Sequence, residues 1–96
     1  MTDVMQIKKN ITPVAQKYGL RKLFLFGSYA KGTANENSDV DLLIEKGLPL
    51  SLLKMSGLRQ DAASALGLDV DVVSMSGIDQ EFWNEIHGTE VLLYES

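Results

Sequence analysis

Three short apolar runs, each joined to a polar motif, constrain the fold of this chain more than any other feature. Lys22–Phe26 (KLFLF) leads directly into Gly27-Ser28, and Asp39–Ile44 (DVDLLI) opens with two acids. A third run, Leu68–Met75 (LDVDVVSM), is rich in valine and again carries two acids near its start. Apolar runs of this length, bounded by glycine or polar clusters, are typical of buried strands. The chain is therefore predicted to build a sheet from short strands.

Helical patterns separate these runs. The first stripe has spacings of three and four residues and is formed by Val4, Ile7, Ile11, Val14 and Tyr18, which is the pattern of an amphipathic helix. Pro13 lies inside the stripe and predicts a kink or a break, because proline removes a backbone donor and clashes with the preceding turn. Thr12-Pro13 also allows the helix to restart there. Gly19 is predicted to end it.

A second helical stripe follows the second run and is formed by Leu52, Met55, Leu58, Ala62 and Ala65. Ser51 is predicted to cap this helix and Gly67 to end it.

A short helix is predicted from Asp79 to His87, with His87 as a polar cap and Trp83 packed on the sheet. The polar segment 33–38 indicates a surface loop. Residues 91–94 fit either a fourth strand or a helical end. Together these elements predict an α/β (α+β) fold.

Composition narrows the functional classes. With 96 residues, residues 1–96 are predicted to form one domain. The chain has no cysteine, which excludes disulfides, thiolate zinc sites and cysteine nucleophiles. Its net charge of −4 argues against binding nucleic acid through phosphates. No apolar stretch approaches the roughly 20 residues that span a bilayer, and the first residues do not resemble a signal peptide. We therefore expect a cytoplasmic protein with no membrane partner.

The paired acids of the second and third runs are the first candidates for chemistry. Strand alternation places Asp39 and Asp41 on one face, with Cα atoms roughly 6.5–7 Å apart, and Asp69 and Asp71 repeat this arrangement. Carboxylates in such strands are costly unless paired or bound to a metal. Their hard oxygen atoms suit Mg²⁺ or Mn²⁺, and two such ions clamp an in-line displacement at phosphorus. The alternative is that the acids only keep exposed strand edges soluble.

Gly27-Ser28 favours the first alternative. A glycine directly after a strand lets the backbone approach a phosphate closely, and a serine at a helix start offers a hydroxyl and free N–H groups. Alone, this dipeptide is more often an ordinary turn. The order of strand, Gly-Ser, ten residues and Asp-x-Asp on a strand predicts a phosphate-binding turn beside a metal site.

The segment LFGSYAKGTANENSDVDLLI resembles the Gly-Ser-x₁₀-Asp-x-Asp signature of the polymerase-β-like nucleotidyltransferases. The chain length and the ending EFWNEIHGTEVLLYES resemble the minimal nucleotidyltransferases, antitoxins encoded beside toxins of the HEPN ribonuclease family. The resemblance implies the polymerase-β-like fold, with a small mixed β-sheet packed with helices. It also implies ATP as substrate, two Mg²⁺ ions (or Mn²⁺), and transfer of AMP to a tyrosine of a HEPN toxin, which inactivates it.

The resemblance also implies roles for individual residues. It assigns catalysis and metal binding to Asp39, Asp41 and Asp71, and nucleotide binding to Gly27, Ser28 and Lys31. Asp71 matches the third carboxylate of the family because two aliphatic residues follow it, while Asp69 shares its face and stays an alternative. Lys31 stands where the family often has arginine, so it either helps to hold the triphosphate or is a solvated helix charge.

Two other functions compete with this hypothesis. A non-catalytic antitoxin would use the same fold to mask its partner, since fold alone does not establish activity. A nucleotidyltransferase that modifies small molecules or nucleic acids generally carries a second domain for its acceptor. With 96 residues this chain has no room for one, so the acceptor is expected to provide its own surface.

Overall fold

The computed structural model describes residues 3–96, in which helices and strands alternate. The elements are α1 (Val4–Lys17), β1 (Leu20–Phe26), α2 (Ser28–Lys31), β2 (Val40–Lys46), α3 (Leu52–Leu66), β3 (Val70–Ser74), α4 (Gln80–Ile86) and β4 (Val91–Glu95). One turn of 3₁₀ helix, Met75–Gly77, joins β3 to α4. No helix among these residues has the length and apolar character needed to cross a membrane.

The four strands form one mixed sheet in the order β3-β2-β1-β4. The central strand β1 runs antiparallel to both β2 and β4, whereas β2 and β3 are parallel. The mixed sheet is as predicted, and residues 91–95 form a strand that pairs with β1 rather than a helical end. One register shift lies near the start of β1, between Leu20 and Lys22, and the other at its middle, between Leu23 and Phe24. The end of β1 that leads into Gly27 is therefore regularly paired.

Helices cover the two faces of the sheet unequally. The first face packs against α1 and α3 and forms the main core, with buried side chains that include Ile7, Ile11, Leu23, Leu25, Leu42, Ile44, Leu58, Ala62 and Leu93. The second face carries a smaller cluster of Phe26, Leu43 and Ile86, on which the aromatic side chains of α4 pack. Because α4 is short, it covers the second face only in part.

The interior of α1 differs from the prediction at Pro13. The helix is continuous from Val4 to Lys17 and includes Pro13, so the predicted break and restart are wrong. Pro13 lies on the exposed side of the helix. Proline lacks the N–H that would bond the Lys9 carbonyl, and Lys9 is itself an exposed residue. Water rather than protein surrounds this turn, which lowers the cost of an internal proline.

The end of α1 packs closely against α3 at Gly57. Tyr18 donates a hydrogen bond of 2.7 Å to Asp61 of α3, and Lys17 forms an ion pair of 2.9 Å with the same carboxylate. A Cβ built on Gly57 would lie 2.9 Å from the Tyr18 hydroxyl. Glycine at this helical position therefore makes room for the tyrosine. The other predicted ends hold, since Ser51 caps α3 and Gly67 ends it in the left-handed conformation.

Candidate active site

The strand register brings two of the predicted acids side by side. Asp41 of β2 pairs with Asp71 of β3 in the parallel ladder, and on its other side Asp41 pairs with Phe26 of β1. Residues paired in register on neighbouring strands share a face and lie about 4.8 Å apart in the hydrogen-bonding direction. Asp39 precedes β2 by one residue and shares that face by alternation. The three carboxylates therefore gather at the uncovered part of the second face.

The electrostatics of Asp41 show that these charges interact. The pKa of Asp41 is raised, first because the side chain is half-buried, then because of the neighbouring Asp71 carboxylate, and then because of Asp39. The ion pairs among residues 3–96 involve other acids, namely Asp61, Glu45, Glu95 and Glu90. The described part of the chain therefore leaves the negative charge of this cluster uncompensated, as expected at a site that takes up cations.

Asp69 is placed differently from Asp71. It is exposed and precedes β3, where its carbonyl accepts a hydrogen bond of 2.9 Å from the Val40 amide. Its carboxylate is not among the groups that raise the pKa of Asp41. Asp69 instead lines, together with Asp39, a cavity of about 620 Å³ between the 36–39 segment and the end of α3. The geometry thus joins Asp71 more closely than Asp69 to Asp41.

Gly27 brings the predicted phosphate turn against the same carboxylate. Its backbone angles, φ 75° and ψ −154°, are essentially restricted to glycine. A Cβ built on Gly27 would overlap Oδ2 of Asp41 and lie 3.1 Å from its Cγ. A side chain at position 27 is therefore excluded twice, by the backbone conformation and by the aspartate. The helix α2 begins at the next residue, Ser28. The Gly-Ser turn therefore lies directly against the Asp41 carboxylate, which is the arrangement that the sequence predicts.

Lys31 is the last residue of α2 and is exposed. Its amide donates to the Gly27 carbonyl over 3.1 Å, so the short helix places it one turn beyond Gly27. No ion pair involving Lys31 forms among residues 3–96. Its role in binding a triphosphate stays a prediction.

The donor set fits a divalent cation that arrives with its substrate. Among residues 3–96, no three histidine or acidic side chains are placed so that they could hold a metal ion by themselves. Mg²⁺ usually keeps several waters and binds through one or two carboxylates plus substrate phosphates. The Asp41–Asp71 pair with Asp39 provides such oxygen ligands. The pKa of Asp41 is raised by burial first and then by the neighbouring carboxylates, whose charge a cation would neutralise. Mg²⁺ or Mn²⁺ is compatible with this set.

Two residues beside the site carry no local sequence signal. Arg59 of α3 donates through Nε to the Val70 carbonyl over 2.9 Å and so fixes the outer edge of β3 next to Asp71. Glu90 precedes β4 and has one buried carboxylate oxygen without a hydrogen-bond partner. Continuing the Leu25–Val91 register places Glu90 beside Phe26. A contact between α3 and β3 reveals Arg59, and the pairing of β1 with β4 reveals Glu90. The predicted minor roles hold, since His87 ends α4 and Trp83 packs on the second cluster.

A Gly-Ser turn at the end of a strand, set against carboxylates on the next strands of a mixed sheet, defines a nucleotidyltransferase domain. A family model confirms this class, because the model described as "Polymerase beta, Nucleotidyltransferase" matches residues 9–96. The chain belongs to the polymerase β nucleotidyltransferase family.

Individual proteins and structures of this family are similar to most of the chain. A protein of Methanocaldococcus jannaschii, named provisionally as a protein adenylyltransferase, is 37% identical over 76 residues, which cover 79% of this chain and 82% of the relative. The protein adenylyltransferase MntA of Thermococcus cleftensis is 41% identical over 63 residues, which cover 66% of this chain and 64% of that protein. A chain from a crystal structure of a toxin–antitoxin with AMP-PNP superposes with a TM-score of 0.79 at 27% identity, covering 93% of this chain and 73% of the other.

Proposed function

We propose that this chain is an antitoxin that acts as a protein adenylyltransferase. It transfers AMP from ATP to a tyrosine of a HEPN ribonuclease toxin and thereby inactivates the toxin. The observation that carries this proposal is the contact between the Gly27 turn and Asp41, with Asp71 in register beside it. The protein adenylyltransferases among its relatives support the reaction class, and a structural neighbour from a toxin–antitoxin supports the partner.

The proposed reaction is an in-line displacement at the α-phosphorus of ATP. The tyrosine oxygen forms a bond to the phosphorus while the bond to the β-phosphate oxygen breaks and diphosphate leaves. The N–H groups and hydroxyl at Gly27-Ser28 hold the phosphates, and Lys31 neutralises part of their charge. Asp71 accepts the phenolic proton or serves as a further metal ligand. Positioning and charge neutralisation therefore account for most of the rate enhancement.

Asp39, Asp41 and Asp71 would hold the metal ions. When bound, Mg²⁺ supplies neutralisation of the phosphate charge and lowers the pKa of the attacking hydroxyl. The same three side chains define the face of the sheet from which the acceptor tyrosine approaches. ATP, the proposed substrate, is an intracellular molecule, so we infer that the protein works in the cytoplasm.

Mass spectrometry of the co-purified toxin tests this proposal. The toxin should gain one or more AMP masses only when ATP, Mg²⁺ and an intact Asp39 and Asp41 are present. Asp39→Asn is the matched control, because it removes a charge with little change in volume. A variant complex that neutralises the toxin equally well, together with no mass shift by the native chain, would replace this proposal with the masking function.

A further inference from the structure

Charge is divided unevenly along the chain. All nine lysines and arginines lie at or before Arg59, whereas residues 60–96 contain eight of the thirteen acids and no lysine or arginine. This acidic segment builds the end of α3, together with β3, α4 and β4. Two of its acids, Asp61 and Glu95, form ion pairs with Lys17 and Lys22. The other six lie on or directly before β3, α4 and β4, where their charge can steer a charged partner.

The fold places α4 of this acidic segment on the same sheet face as the candidate active site. The Phe82 ring of α4 meets the Phe26 ring edge-on, with 5.4 Å between centroids. Phe26 is in turn the register neighbour of Asp41. The outer side of α4 exposes Gln80, Glu81, Asn84 and Glu85. A protein that approaches the carboxylates from the open face therefore meets a negatively charged helix beside them.

An apolar groove lies at the border of this helix. Met75, Ile78 and Trp83 line it with Asp79 and Gln80, and its volume is about 310 Å³. All three apolar side chains are half-buried and already pack against the second cluster. Met75 stands four positions after Asp71, directly beyond the end of β3, which is about 13 Å at the usual strand rise. One interface of ordinary size, about 800 Å² per partner, spans both the groove and the carboxylates.

We propose that this groove and the acidic side of α4 form the docking surface for the acceptor protein. The proposal rests on the proposed function and specifies the partner's chemistry: an apolar side chain that enters the groove, flanked by lysine or arginine. The acceptor is a ribonuclease, which must hold RNA phosphates with basic residues. The charges on the two surfaces are therefore complementary, and docking there brings the acceptor's surface over the carboxylates.

A second exposed apolar surface is a poorer candidate for docking the acceptor protein. Leu48, Leu52 and Leu53 are 66%, 90% and 84% exposed, but none of them belongs to the second cluster, which lies on the face that carries Asp41. Lys54 is their charged neighbour on α3, whereas α4 carries no lysine or arginine. Lys46 does not distinguish the two surfaces, because it lines a cavity with Met75. The charges on α3 and α4 therefore favour α4 as the side that a basic acceptor meets.

The electrostatic part of the proposal is tested with the purified native chain, ATP, Mg²⁺ and the HEPN toxin encoded by the neighbouring gene. Glu81→Gln/Glu85→Gln removes two charges from α4, and Gln6→Lys/Asn10→Lys on the exposed side of α1 changes the net charge equally. We expect the first double variant to raise the KM for the toxin about tenfold at low salt, to leave kcat unchanged and to weaken the salt dependence. Equal effects of both double variants, or no effect of the first, would overturn the proposal.

The groove is tested by a matched pair of apolar-to-polar variants, Met75→Gln and Leu53→Gln. Met75→Gln should weaken binding of the toxin about tenfold and Leu53→Gln should not, with thermal unfolding confirming that both variants fold. A loss confined to Leu53→Gln would move the docking surface to the leucines. Calorimetry without ATP measures binding of the toxin directly, and so separates the proposed docking surface from the proposed function. A native chain that binds the toxin but adds no AMP contradicts the proposed function. AMP transfer that is unchanged in Glu81→Gln/Glu85→Gln and in Met75→Gln contradicts only the docking surface.

Discussion

Replacing Asp41 with asparagine should abolish AMP transfer and at the same time stabilise the protein without nucleotide. Asp41 is half-buried, stands in register beside Asp71 and shares its face with Asp39. Like charges directly opposite each other on neighbouring strands destabilise a sheet by roughly 0.2–1 kcal/mol, and partial burial adds to this cost. Asparagine keeps the shape and removes the charge, so we expect a gain of about 1 kcal/mol in the free energy of unfolding, or about 4–8 °C in Tm.

The gain depends on pH in a defined direction. Because the pKa of Asp41 is raised above its ordinary value of 3.8, the folded protein takes up this proton at a higher pH than the unfolded chain. The destabilisation is complete above the raised pKa and is relieved as the pH falls through it. The advantage of Asp41→Asn should therefore be greatest at neutral pH and shrink towards pH 4.

Thermal unfolding of the native chain, Asp41→Asn and Asp69→Asn at pH 7 and at lower pH measures this effect. Asp69 is the matched control, because it is an exposed aspartate that does not contribute to the raised pKa of Asp41. A lower Tm for Asp41→Asn, or an equal gain from Asp69→Asn, would refute the reasoning. The transfer assay on the same samples should show a loss of at least about a hundredfold for Asp41→Asn only.

Four further outcomes are expected. Gly27→Ala should lower the free energy of unfolding by about 2 kcal/mol or more, since about half of this cost comes from the positive φ and the rest from overlap with the adjacent carboxylate; an unchanged urea midpoint would contradict this. Asp71→Asn should reduce AMP transfer more than Asp69→Asn, and the reverse order would reassign the third ligand. Tyr18→Phe should cost about 0.5–1.5 kcal/mol in urea unfolding by removing its bond to Asp61; no change would show that this bond is neutral. Free tyrosine and short peptides should be poor acceptors compared with the folded toxin, because orientation is worth several kcal/mol, and comparable rates would point to a broader transferase.

The strands, and the positions of the candidate site residues on them, could be predicted because their signals are local. Gly27-Ser28 follows an apolar run, and Asp39 and Asp41 open the next one, so alternation alone sets their common face. The pairing of Asp41 with Asp71 required one further step, since parallel register is a property of two strands and not of either sequence. The resemblance to the family singled out Asp71 over Asp69 because two aliphatic residues follow it, but it did not predict the pairing.

Other features depend on contacts between distant segments. Whether residues 91–94 form a strand or a helical end is decided by pairing with β1, which no local pattern records. Pro13 stays inside a continuous helix because it lies on the exposed side of α1. Gly57 weakens a helix by its intrinsic propensity, yet here it accommodates Tyr18 from another helix. In each case tertiary packing overrides a local preference.

The contact between Gly27 and Asp41 has a consequence for how this domain can diverge during evolution. While the aspartate is present, any side chain at position 27 meets both a backbone cost and a steric overlap. Once a smaller residue replaces the aspartate, only the backbone cost of about 1–2 kcal/mol remains. Descendants that abandon transfer and keep only partner binding should therefore lose Asp41 first and Gly27 afterwards. The order of loss along such a lineage would record when catalysis ceased to be selected.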